Sequence, residues 1–256
     1  NFVIFLLFVG CNNPNNKQWI SYDESSEIKS NQNHDIDRMQ FKLIQSKYND
    51  KNNWFGKLNN YLEDFSENEY QILKPLIFEK DIPSIQKLII SGDLTYEKLT
   101  LFYLYRIKKI EFNKNTYLNS IISLNQNVIL EAREKDKKKP NSIYSLHGIP
   151  IFLKDNINFN GLPTTAGAAL LKDNIAEDSY VVKKLKESGG LILGKTNLSE
   201  WAYYFCIGCP LGYSAIGGQT LNPYGRKEFE SGGSSSGSGV AISANLSSVA
   251  LGSETS

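Results

Sequence analysis

The sequence predicts an α/β layered domain, on three observations. Two short apolar runs, IPIFL at 149–153 and LIL at 191–193, have the length and composition of buried strands. Segments of helical period lie between and before them, and that alternation packs helices over a sheet. The 256 residues suffice for a sizeable core as one large or two small domains.

Taken in order, the pattern turns helical from Trp54 onward. After Asp93, residues Leu99, Phe102, Tyr103, Ile107 and Ile110 recur at three- and four-residue steps behind Thr95, which predicts an amphipathic helix with a Thr near its start. Its Lys98, Arg106 and Lys109 form a solvated face. YLNSIISL from Tyr117 reads as a strand. A second helix ends in the charged run 133–139 before Pro140, a loop rather than a binding patch. Residues 179–187 read as a helix, and Gly189-Gly190 then punctuates the chain before the 191–193 strand. No internal repeat is visible.

With 28 Lys and Arg against 27 Asp and Glu, the net charge is +1, and no basic stripe points to nucleic acid. The expected partner is a small neutral molecule. Residues 1–10, NFVIFLLFVG, are too few to span a bilayer as a helix but suit a signal-peptide apolar region. Phe8-Val9-Gly10-Cys11 resembles a bacterial lipobox, with Phe8 where Leu is usual. That resemblance implies lipidation of Cys11, export and membrane attachment at the bacterial cell envelope; the alternative is an ordinary signal peptide or short anchor, with secretion. Since residue 1 is Asn, an incomplete N-terminus is expected. The reading divides the chain into a partial signal peptide and lipobox at 1–11, a disordered polar tether at 12–53, and a folded domain at 54–256.

Two places carry chemistry. In LHGIPIFLKDNIN (146–158), Lys154 directly follows a buried strand, where desolvation lowers an ammonium pKa and can make the amine a base near neutral pH. The alternative is a strand-end lysine snorkelling to water. The second place is the Gly/Ser block 232–239. A flexible linker is its bland reading, but the small apolar sequel at 240–251 embeds it in a core. No Lys follows the glycines as in a phosphate loop, and Ile242 stands where a dinucleotide turn needs its third Gly. Residues 233–237, GSSSG, also match the G-x-S-x-G nucleophile elbow, which requires an Asp and a His downstream. The two histidines, His34 and His147, lie upstream.

LHGIPIFLKDNIN, GLPTTAGAALL, LILGKTNLSEW, GGQTLNPYG and SGGSSSGSGVAISANLSSVALGSETS, in that order, resemble the amidase signature family over about 85–256. The wording is most similar to the bacterial peptide amidases, which release ammonia from peptide C-terminal carboxamides. The resemblance implies a central twisted mixed sheet with helices on both faces, here C-terminally truncated. It implies a Ser-cisSer-Lys acyl-enzyme mechanism on linear amides without a cofactor. Lys154 matches the family lysine, and Ser234 the bridging serine after a cis peptide bond. Ser235 matches a helper that hydrogen-bonds the triad. The backbone N–H groups of Thr255 and Ser256 match part of the oxyanion hole, with Ser256 replacing a common Gly. The attacking serine falls two residues past Ser256, so the fragment is expected to be inactive.

The segment 202–216 is where such proteins vary. Tyr203, Tyr204 and Phe205 read as core rather than a pocket wall. Cys206 and Cys209 lack further ligands for a metal, Cys11 being the one other cysteine. In an exported protein they could form a local disulfide. Two alternative functions are the A subunit of a tRNA-dependent amidotransferase, which shares the motifs, and a catalytically dead anchored protein that binds peptides.

Overall fold

A computed structural model describes residues 18–206 and 208–254. Its helices are α1 (Ser25–Ser30), α2 (Leu58–Leu62), α3 (Glu67–Ile77), α4 (Ile82–Ser91), α5 (Tyr96–Glu111), α6 (Val128–Asp136), α7 (Tyr180–Glu187) and α8 (Ser236–Ser243). The strands are β1 (Ile121–Leu124), β2 (Pro150–Lys154), β3 (Leu191–Thr196), β4 (Tyr213–Ser214), β5 (Gly218–Gln219) and β6 (Val249–Leu251). Ser66, Asp81, Thr95 and Ser179 start α3, α4, α5 and α7, each side chain accepting a first-turn backbone N–H.

The main sheet has the order β1-β3-β2-β6. β2 runs parallel to β3 and β6, and β1 is antiparallel to β3. Every residue of β2 and β3 is buried, which is why both read as continuous apolar runs rather than alternations. In β3 the close approach of β1 requires a glycine: a Cβ on Gly194 would stand 2.2 Å from the Ser123 carbonyl oxygen. The mixed sheet flanked by helices is the fold class expected. The strand expected from Tyr117 begins at Ile121; before it the backbone turns through a positive φ at Asn119. The charged run is helical for its first part, since α6 extends to Asp136.

The structure corrects the disordered tether over residues 18–53; residues 12–17 lie outside the described residues. From Trp19 to Trp54 the chain packs on the domain, with Met39, Phe41 and Ile44 at 5 % exposure or less. Its polar residues are committed to partners far along the chain. Asn31 donates to the Lys227 carbonyl at 3.0 Å, Arg38 pairs with Glu230 at 2.7 Å, and Asn52 exchanges hydrogen bonds with the Trp19 backbone. Lys51 is buried over the rings of Trp19 and Tyr117, 4.4 and 4.7 Å from their centroids, and pairs with Glu111 at 3.4 Å. The Glu111 carboxylate also accepts the N–H groups of Leu118, Asn119 and Ser120, fixing the approach to β1. Residues 1–11, with Cys11, lie outside the described residues. No helix among the described residues is long and apolar enough to cross a membrane.

Candidate active site

The C-terminal end of β2, the start of α8 and the turn after β6 converge on Lys154. Its side chain is buried rather than snorkelling, at 0 % exposure. Nζ donates to Ser234 Oγ at 2.6 Å, to Ser253 Oγ at 2.9 Å and to the Ser253 carbonyl at 3.4 Å. Burial holds the Lys154 ammonium below the ordinary lysine range, against a smaller upward pull from Glu254. Burial thus shifts the amine toward its neutral form, with a serine hydroxyl in proton-transfer range.

Ser234 follows a cis peptide bond from Gly233, as the resemblance implies. Its carbonyl accepts the Ser199 N–H at 3.0 Å, and Ser199 Oγ accepts the Gly212 N–H at 2.9 Å. The Ser235 hydroxyl hydrogen-bonds the backbone of Ser253, accepting from the N–H at 3.1 Å and donating to the carbonyl at 3.2 Å. It thus supports the residue against Lys154, and this hydroxyl lies 2.8 Å from where a Gly252 Cβ would stand.

Helix α8 is held by polar contacts on its small-residue face. Ser238 Oγ donates to the Leu251 carbonyl at 2.9 Å and lies 2.8 Å from Thr196 Oγ1, tying α8 to β6 and β3. Gly237 donates its N–H to the Asn197 carbonyl at 3.0 Å, so close that a Cβ would fall 2.4 Å from the Asn197 nitrogen. Within the Gly/Ser block Ser236, Gly237 and Ser238 are buried at the start of α8, so the block is no linker. His34 and His147 do not serve an elbow mechanism: His34 accepts the Ile36 N–H, and His147 packs edge-on to Tyr96.

Asn156 and Ser253 escaped the sequence reading. Asn156 Nδ2 donates to Ser253 Oγ at 2.9 Å. No local signal pointed to it: β2 ends at Lys154, and the turn that follows, closed by the Ile157 N–H on the Lys154 carbonyl, brings Asn156 back toward Ser253. Thr255 and Ser256 lie outside the described residues.

The aromatic segment corrects a second expectation. Tyr204 and Phe205 are 80 % and 73 % exposed rather than core, and Trp201 packs edge-on to Phe205. Trp201, Ala202 and Tyr203 all have positive φ, a left-handed turn that throws these rings outward. Cys206 and Cys209 are joined as a disulfide, and Tyr203 Oη donates to the Cys209 carbonyl while accepting the Gly208 N–H. Among the described residues no cluster could hold a metal ion.

The sheet thus sets a buried lysine against the start of a Gly/Ser helix, the two segments on which the amidase resemblance rests. The amidase family model matches residues 98–256, and the chain belongs to that family. It is 42 % identical over 185 residues to the Arabidopsis thaliana protein named probable amidase, covering 70 % of this chain and 35 % of that protein. Among solved structures, an amidase family protein of Bacillus anthracis str. Ames matches at 39 % identity and TM-score 0.77, over 84 % of this chain and 43 % of that one. The native peptide amidase of Stenotrophomonas maltophilia matches at 42 % identity and TM-score 0.62, over 68 % and 36 % respectively. The chain therefore spans about a third to two fifths of the length of these relatives.

Proposed function

We propose that the full-length protein hydrolyses linear carboxamides, with C-terminal amides of peptides as the substrate class. The observation that carries this reading is the 2.6 Å contact between the buried Lys154 Nζ and Ser234 Oγ. A neutral Lys154 takes the Ser234 proton on its lone pair, keeping its N–H groups for Ser253. Ser234 in turn takes the proton of the attacking serine, which the family resemblance puts two residues past Ser256. The serine oxygen bonds the amide carbon, the C–N bond breaks, and the relay returns a proton to the leaving nitrogen, which departs as ammonia. Water then cleaves the ester by the reverse relay. The N–H groups of Thr255 and Ser256 are assigned to the oxyanion formed in both steps.

The substrate class rests on the likeness to a peptide amidase together with the exposed aromatic turn at 201–205. An envelope location with lipid on Cys11 belongs to the same proposal, carried by the Phe8–Cys11 pattern, and incorporation of a labelled fatty acid that fails on Cys11→Ser tests it. The test of function is ammonia release from peptide amides by the full-length protein without tRNA. Lys154→Ala and Ser234→Ala should each abolish nearly all of it while the protein stays folded. Full activity in either variant overturns the assignment, and activity that requires a tRNA-linked substrate favours the amidotransferase reading.

A further inference from the structure

A second buried lysine lies one strand away and takes no part in the proton relay above. Lys195 in β3 is fully buried, as is Asp155, and the two pair at 3.1 Å. The remaining Lys195 donors go to the Ile157 carbonyl at 2.7 Å and Thr164 Oγ1 at 2.9 Å. The other Asp155 oxygen accepts the Thr165 N–H at 3.1 Å and the Thr165 hydroxyl. Every donor and acceptor faces an opposite partner: burial raises the Asp155 carboxyl and lowers the Lys195 ammonium, and the mutual pairing and hydrogen bonds oppose both shifts.

Register sets where this pair lies relative to Lys154. Leu153 pairs with Lys195 and Lys154 with Thr196. Paired residues share a face and successive residues alternate, so Lys195 lies on the face opposite Lys154. Asp155, one residue past Lys154, points to the Lys195 side. Thr196 reaches Ser238 of α8 on the Lys154 side.

We infer that Lys195 is a positioning residue for the proposed reaction: by cancelling the charge of Asp155 across the sheet, it lets Lys154 shed its proton beside Ser234. The role rests on the function proposed above, but the electrostatics do not. Among the described residues, the charged groups around Lys154 are Asp155 on its own loop, Lys195 from β3 and Glu254 past β6. The facing helix α8 carries no titratable side chain. An uncompensated carboxylate at roughly 10 Å through a partly polar interior would raise the Lys154 midpoint by about one pH unit. Lys195, paired with the Asp155 carboxylate at 3.1 Å, carries the opposite sign and offsets most of that pull.

The test uses this chain with lysines labelled at Cε and Nζ, following the Lys154 resonance by NMR through a pH titration, with Lys154→Met to assign it. Lys195→Met should raise the midpoint by about one unit, and Asp155→Asn, which leaves Lys195 uncompensated, should lower it by a comparable amount. The double variant should return it to near the wild-type value. Simple loosening admits water and shifts the midpoint upward in both single variants, so an Asp155→Asn midpoint at or above wild type overturns the inference. So does a folded Lys195→Met variant that shifts by less than 0.3 unit or so. If Lys195→Met does not fold, Asp155→Asn decides alone. Because no turnover is measured, failure here leaves the hydrolase reading intact, and failure of the ammonia assay leaves the charge coupling intact.

Discussion

Replacing Asn197 by Ala removes the hub that fixes the loops behind the site. Asn197 is fully buried. Its Nδ2 donates to the Asn119 and Gly218 carbonyls at 3.0 Å each and to Thr220 Oγ1 at 2.9 Å. Its Oδ1 accepts the Leu198 N–H at 2.9 Å and the Ser214 hydroxyl at 2.7 Å. Some of these partners keep company after truncation, since Thr220 Oγ1 still donates to the Asn119 carbonyl and Ser214 Oγ still accepts the Gly217 N–H. The Leu198 N–H loses its side-chain partner with no such relief, while the Gly218 carbonyl keeps its pairing with Ser214 across β4 and β5. At about 1–3 kcal/mol for the stranded buried N–H, plus smaller losses from the others, the cost is roughly 2–4 kcal/mol. That is a large part of the 5–15 kcal/mol typical of a domain. Urea unfolding of wild type and variant measures it directly. A loss below about 1 kcal/mol with an unchanged denaturant slope would show that water or backbone adjustment replaces the amide, and that the hub does not hold these loops.

Three further outcomes are expected. Met39→Ala, in the segment that composition reads as a tether, should cost about 2–4 kcal/mol in urea unfolding because the side chain is 1 % exposed; a neutral result would mean that residues 18–53 do not contribute to the fold. Gly237→Ala should destabilise by more than about 2 kcal/mol, since its Cβ meets backbone of Asn197 and Ser120 at 2.4–2.5 Å and no flexible side chain can yield. The Lys154 pKa is lowered on folding, so between its folded midpoint and the ordinary lysine value the unfolded chain binds more protons and stability rises with pH. Subtracting the Lys154→Met profile from wild type should isolate that rise, and a flat difference would mean that Lys154 titrates as an ordinary lysine.

What could be read from the residues followed physical regularity. Helix α5 was legible because Thr95 caps it and its apolar positions keep one period over sixteen residues. Strands β2 and β3 were legible because burial on both faces leaves runs with no polar alternation. Helix α8 was not, since SGSGVAIS has poor helix propensity and becomes helical through contacts of Gly237 and Ser238 with distant segments. The segment 18–53 looked disordered because its apolar anchors are sparse, and its polar partners, such as Glu230 for Arg38, lie about 190 residues away in sequence. Lys154 and Ser234 were legible as a pair only through the family resemblance, because two residues 80 positions apart carry no local sign of contact.

The two buried lysines show why a strand-end apolar run alone could not single out Lys154 as the proposed base. Both lie in fully buried strands, and burial pushes both ammonium groups downward. Their acceptors differ. Lys195 faces a carboxylate, a carbonyl and a threonine hydroxyl, a set that favours a fixed cation. Two of the three Lys154 contacts are serine hydroxyls, which can turn to donate to a neutral amine as readily as they accept from an ammonium. Desolvation acts on both lysines, but only at Lys154 do the neighbours tolerate loss of the proton. The polarity of the Gly/Ser block is thus a requirement of the chemistry: aliphatic residues there would bury the lysine without a partner for either form, and carboxylates would lock it charged.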